Sequence, residues 1–136
     1  LLDRAGRAVT SIVSGEAFTI EVDYEAFEVV RQPIFRVDFY RQGVLVSGSS
    51  TAYDGIAVEP LEGTGSFCLG FERLFLSAGV YTLSIVIAET YEYNLLDVHH
   101  QAYPLQVLRP PNSRGDLSLP RTWHHTITGG NLSHDD

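Results

Sequence analysis

Between Gly65 and Ala88 two runs of alternating apolar residues flank a turn of small residues, and this pattern constrains the fold most. The first run is Ser66-Phe-Cys-Leu-Gly-Phe71. The second, Val80-Tyr-Thr-Leu-Ser-Ile-Val-Ile-Ala88, follows the turn Ser77-Ala78-Gly79. Period-2 alternation over such lengths marks strands that bury one face. The same reading predicts strands over 7–13, 16–24, 33–40, 44–47 and 102–108. In 16–24, Phe18, Ile20, Val22 and Tyr24 share one face, with Thr19, Glu21 and Asp23 on the other. Pro33 opens the next strand, where a missing backbone donor is tolerated. There Phe35, Val37 and Phe39 face inward, and Ile34, Arg36, Asp38 and Tyr40 face outward. Gln42-Gly43 makes a hairpin turn into 44–47. Tyr103, Leu105 and Val107 point inward from the last strand. Residues 48–63 read as a long connection, and 91–101 as a polar, irregular stretch with at most one helical turn.

No segment has a helical period, and the connecting helices of a parallel sheet are missing from the pattern. The expected fold is all-β, an immunoglobulin-like antiparallel β-sandwich over residues 1–108. Tyr81, just past the turn, sits where such sandwiches carry a corner tyrosine whose hydroxyl ties down the link between sheets. A chain of 136 residues, 44 % hydrophobic and 19 % charged, has the material for one packed core. The net charge of −8 argues against nucleic acid and against anionic membranes, and leaves neutral ligands such as glycans open. The longest apolar run, 80–88, is too short to cross a bilayer, so no direct membrane insertion is expected. No signal-peptide pattern opens the sequence, and with no methionine the chain reads as part of a larger polypeptide. The single cysteine, Cys68, fits a reducing compartment, and its place in an apolar run predicts a buried, inert thiol.

Beyond Leu108 the composition changes. Arg109-Pro-Pro-Asn-Ser-Arg-Gly-Asp116 is a stiff polar linker. The short apolar piece from Leu117 through Leu119 to Trp123 follows it. A linker and C-terminal strand are expected over 109–127, with a flexible tail over 128–136. A strand beyond a proline linker either covers its own sandwich or docks on a neighbouring copy.

The order of these pieces resembles the C-terminal domain of Wzt-type ATPases, the nucleotide-binding subunits of ABC exporters for bacterial O-antigen polysaccharide. The resemblance rests on Ser14-Gly15-Glu16 leading into 18–24, on Pro33-Ile-Phe-Arg-Val-Asp-Phe39 before Gly43-Val-Leu-Val46, and on Ser49-Ser-Thr51. It continues through Gly65-Ser-Phe67, Leu74-Phe-Leu-Ser-Ala-Gly-Val-Tyr81, Asp97-Val-His-His-Gln-Ala-Tyr103 and Gly115-Asp-Leu117 to Trp123, spanning roughly residues 5–125. It implies a non-catalytic, cytoplasmic domain at the inner face of the inner membrane, which recognises the modified non-reducing end of a finished glycan. It also implies a parent ATPase, a transmembrane permease and a homodimer that exchanges a C-terminal strand. Asp97-Val-His-His-Gln101 departs from the more acidic, His-rich run of relatives, and glycan specificity is not carried over.

A glycan site needs planar polar side chains and an aromatic face. The outward positions Arg36, Asp38 and Tyr40, Thr82 and Ser84, and Gln106 lie on three strands that can be sheet neighbours, so they form the candidate carbohydrate platform. The alternative is an ordinary solvated face with cross-strand charge pairs. Leu117, Leu119 and Trp123 are candidates for strand exchange, with glycan stacking the other use for Trp123. Tyr91 and Tyr93 form a second aromatic cluster, either ligand contacts or packing. No cofactor and no metal site are expected: His99 and His100, like His124 and His125, are adjacent and point to opposite faces of a strand. Asp23 and Glu25 read as solvated surface rather than as a glycosidase pair, and neither a nucleophile motif nor a Walker sequence is present. Arg114-Gly115-Asp116 and Asn131-Leu-Ser133 are chance matches to short motifs. The rival function is a protein–protein or structural sandwich with no glycan affinity.

Overall fold

The computed structural model describes residues 1–90, 94–111 and 122–126. Seven strands follow in order: β1 (Ser11–Val13), β2 (Phe18–Val30), β3 (Pro33–Arg41), β4 (Val44–Ser50), β5 (Leu61–Phe71), β6 (Gly79–Glu89) and β7 (Asn94–Leu108). They build a five-stranded sheet in the order β1-β7-β6-β3-β4 and a two-stranded sheet β2-β5. All pairs are antiparallel except β1 with β7. Two strands facing β7-β6-β3, with a short parallel strand at the edge, give the immunoglobulin-like arrangement.

The alternation read from the sequence is what holds the sheets together. Phe18 and Ile20 of β2, Val37 and Phe39 of β3, Tyr81, Leu83 and Ile85 of β6, and Leu105 and Val107 of β7 are all buried in one core. Across the gap Phe35 stacks on Phe67 with ring centres 4.0 Å apart, and Phe39 meets Phe71 edge-on at 5.9 Å. Tyr81 is the corner tyrosine: its hydroxyl donates to the Ser77 carbonyl at 2.7 Å and lies 3.0 Å from Ser77 Oγ. Arg41 stacks over its ring and donates to Ser77 Oγ at 3.0 Å, which fastens β3 to the turn before β6. The β3–β4 hairpin turns on Gln42 and Gly43, whose φ values of 52° and 76° suit the twist of the two strands.

Four expectations need correction. Residues 94–101 are not irregular; they are the first half of β7. No apolar period shows there because neither face of that half packs on the core, as described below. Cys68 is exposed, not buried, because Phe67, Leu69 and Phe71 take the inward positions of β5 and the thiol falls on the other face. Ile34 does sit on the outer face of β3, but it is buried there with Val86 and Ala88 in a second small cluster. The strand expected over 7–13 is pared to Ser11–Val13, since Asp3 gathers the backbone N–H groups of Ala5 and Arg7 into a turn. Tyr91 and Tyr93, Leu117 and Leu119, Arg114-Gly115-Asp116 and the 128–136 tail lie outside the described residues. Trp123 lies inside them and exposes 90 % of its surface.

Candidate functional site

Register decides which side chains meet on the outer face of the large sheet. Asp38 pairs with Ser84 and Tyr40 with Thr82 across β3 and β6, and Asp38 faces Gly48 of β4. On the other flank Thr82 pairs with Pro104 and Val80 with Gln106. All six predicted platform residues therefore share one face. Five of them cluster, and Gln106 stands apart, exposed at the end near β1.

Two further residues, not predicted as site residues, complete the cluster. Between the pairs Leu83–Tyr103 and Ile85–His99 the strand β7 carries extra residues, and Gln101 takes a left-handed φ of 46°. Strict alternation would send Gln101 inward with His99 and Tyr103. The bulge turns it outward instead. Its backbone N–H donates to Ser84 Oγ at 2.7 Å, and its side-chain oxygen accepts from Thr82 Oγ1 at 3.1 Å. His100 places Nδ1 3.4 Å from Ser84 Oγ and Nε2 3.2 Å from the Gln101 amide, and its ring meets Tyr40 edge-on at 5.7 Å. The sequence signal for this was a polar His-His-Gln run interrupting a strand that resumes its apolar alternation at Tyr103.

The platform is partly enclosed. Arg36 Nε lies 3.2 Å from Asp38 Oδ2, with the two side chains 29 % and 10 % exposed. Ser84 is buried, while Arg36, Tyr40 and Thr82 remain half-buried. Gly48 makes room for the carboxylate: a methyl group built there would lie 2.6 Å from Asp38 Oδ1. The result is a wall of hydroxyl, amide, imidazole, carboxylate and guanidinium groups with one aromatic ring among them. Such a wall offers both donors and acceptors to a polyhydroxylated ligand. The ion pair, being shielded, fixes the carboxylate's direction more firmly than a surface pair would.

The opposite, inner side holds a different feature. At the end where β2 and β7 run past the core the two sheets leave an open cleft of about 450 Å³. Tyr24, Ile85, Ile87, Leu61, His99 and Tyr103 are among its walls. His99 Nε2 lies 3.3 Å from Asp97 Oδ1 and its Nδ1 meets the Tyr103 hydroxyl, so His99 and His100 do point to opposite faces. Among the described residues no group of three or more His, Cys, Asp or Glu side chains could hold a metal, and no helix is long and apolar enough to cross a membrane.

The comparisons agree with this architecture. A solved structure, the crystal structure of the C-terminal domain of wzt, superposes with a TM-score of 0.68 at 17 % identity, covering 91 % of this chain and 78 % of that one. That likeness is one of fold. No curated protein sequence matches. A family model for the Wzt C-terminal domain matches residues 1–118, and the chain belongs to the Wzt C-terminal domain family.

Proposed function

We propose that this chain is a non-catalytic carbohydrate-recognition domain, reading the terminus of an O-antigen-type polysaccharide for export by an ABC transporter. Membership of the Wzt C-terminal domain family makes it a domain of such a transporter's ATPase subunit, on the cytoplasmic side. The observation that carries the ligand is the outer face of β3-β6-β7, where Arg36, Asp38, Tyr40, Thr82 and Ser84 join His100 and Gln101 in one hydrogen-bonding surface. The net charge of −8 suits a ligand that is not a polyanion. In this reading Tyr40 supplies the ring face for sugar C–H groups, and Thr82, Gln101 and His100 bind hydroxyls. Arg36 and Asp38 fix the hydroxyl pattern, and Gln106 extends the face for a second residue of the chain.

Tyr40→Ala and Thr82→Ala test this, because both side chains are only half-buried and their loss leaves the inner core intact. Each is expected to weaken binding of the host's own O-polysaccharide at least tenfold in calorimetric titration, with the urea midpoint little changed. Unchanged affinity in both variants rejects the platform. The exposed Trp123, with Leu117 and Leu119, supports the further reading that the C-terminal segment holds a homodimer by strand exchange. Truncation after Leu108 then yields a monomer by light scattering, and a truncated protein that stays dimeric refutes it.

A further inference from the structure

On the flank where β3 and β4 face β5, a second opening of about 180 Å³ reaches the core. Val22, Phe35, Val37, Leu69 and Ile85 line it, and Phe67, stacked on Phe35 at 4.0 Å, makes one wall. Its exposed members, Asp54 and Ile56, mark the mouth. The turn that carries them is tied down by its own backbone. Thr51 N–H donates to Phe35 O at 3.0 Å, Asp54 N–H to Ser50 O at 3.0 Å and Ile56 N–H to Thr51 O at 2.8 Å. The pocket is therefore preformed, apolar inside and polar at its rim, as small aromatic groups require. A dry cavity of about 150 Å³ with walls of this kind holds benzene. This one takes the six-membered ring of a larger aromatic group and leaves the rest of that group in the mouth.

We propose that the occupant is Trp123 of a second copy, each copy seating its indole in the other's pocket about a two-fold axis. This inference rests on the homodimer reading and names where its anchor docks. Trp123 is the only tryptophan of the chain, and it stands 90 % exposed while the pocket of the same chain is open. An indole has one polar group, a donor, and the Asp54 carboxylate at the mouth is an acceptor for it. Charge favours the same approach. Residues 109–123 hold Arg109, Arg114 and Arg121 against Asp116, a net +2, while residues 1–108 hold six arginines against fourteen aspartates and glutamates, a net −8. Residues 42–53, the strand and turn that lead into the mouth, carry no charge at all. Reach is sufficient, since the fifteen residues of 109–123 extend to about 50 Å, against a radius of gyration of about 14 Å for a chain of this length. The larger cleft suits an indole less well: at about 450 Å³ it is loose, and Glu21, Asp23, Glu25 and Asp97 are among its walls.

The only tryptophan and the only cysteine make the test. Cys68 is exposed on β5 between Phe67 and Leu69 of the pocket. A Trp123→Ala protein is labelled at Cys68 with an aminonaphthalene dye that accepts energy from indole, and is mixed with a Cys68→Ser protein that keeps Trp123. The expected result is energy transfer between the two, which can only cross from one copy to the other. In the unlabelled chain, Trp123 emission should move to shorter wavelength as concentration rises through the dimer transition seen by light scattering. Trp123→Ala should raise the dimer dissociation constant at least tenfold. Its vacant pocket should bind free indole saturably, with methyl NMR shifts at Val37, Leu69 and Ile85. A dimer whose Trp123 emission stays that of a solvent-exposed indole, with no energy transfer, overturns the inference and leaves the homodimer reading standing. Short-wavelength emission from a monomer puts the indole in its own chain's pocket and overturns it too, as does a Trp123→Ala protein that binds no indole there. Monomers with exposed Trp123 at every concentration overturn both.

Discussion

Gly48→Ala isolates the outer-face polar cluster without touching the core. Gly48 is exposed on β4 and faces Asp38 directly across the β3–β4 pair. A methyl group there lies 2.6 Å from Asp38 Oδ1, and ordinary contact begins at 3.4 Å, so the carboxylate must retreat by 3.4 − 2.6 = 0.8 Å. It has two ways to do so. It can leave its rotamer, at about 0.5–1.5 kcal/mol, or swing away from Arg36 Nε and lose a shielded, charge-assisted contact worth about 1.5–3 kcal/mol. The two routes together put the cost at about 0.5–3 kcal/mol, close to the usual range for overpacking. With a urea slope of about 2 kcal/mol/M, the unfolding midpoint should fall by about 0.25–1.5 M. Gly70→Ala is the control, since a methyl group there meets only Thr19 Oγ1 at 3.9 Å. That variant should match the parent or gain a few tenths of a kcal/mol by restraining the unfolded chain, about 0.4–1 kcal/mol at most. Urea melts of the three proteins under one buffer decide the matter. A Gly48→Ala protein as stable as the Gly70→Ala protein refutes the argument that Asp38 occupies the space Gly48 leaves.

Tyr81→Phe removes the hydroxyl that Ser77 receives and should cost about 1–3 kcal/mol in the same melts, although the ring still fills its place in the core. Cys68 should react with a thiol reagent in the native state at nearly the rate of the unfolded chain, because it faces away from the core. The Asp3 carboxyl is held below its ordinary value of 3.8, chiefly by the N–H of Arg7; desolvation opposes this, and the N–H of Ala5 and the Arg7 charge add to the lowering. A lowered folded-state value means that its contribution is full above 3.8 and lost as pH falls through the folded value. A carbon-detected titration should place Asp3 below 3.8, and Asp3→Asn should remove this part of the acid dependence.

The sequence carried the parity of the strands well and the depth of their faces poorly. Phe18, Ile20, Val37, Phe39, Leu105 and Val107 were read as inward from alternation, and they are the core. Tyr81 was legible because a small-residue turn before it gives its hydroxyl only one backbone to reach. Ile34, Asp38 and Ser84 show the limit: alternation puts them on the outer face, yet all three are buried there. Neighbouring side chains of the same face do the covering, and period-2 reasoning treats each strand alone. The first half of β7 was missed for a related reason. Its inner side opens on the cleft and its outer side holds the polar cluster, so no apolar rhythm marks residues 94–101 as a strand. His100 and Gln101 went unassigned because a left-handed residue overrides alternation, and glutamine is not a residue whose presence announces one. Cys68 was misjudged from its apolar neighbours, when its parity opposite Phe67 and Leu69 already placed it outside.

The most direct test of the central claim is a map of where the glycan sits. Amide and side-chain NMR shifts of this chain should be followed while a short fragment of the host's own O-polysaccharide, carrying its non-reducing end, is added. The account predicts saturable changes at Tyr40, Thr82, His100 and Gln101, extending toward Gln106, with the cleft residues Tyr24 and Tyr103 unmoved. Changes centred on Tyr24, His99 and Tyr103, or none at all with folded protein and excess glycan, would contradict it.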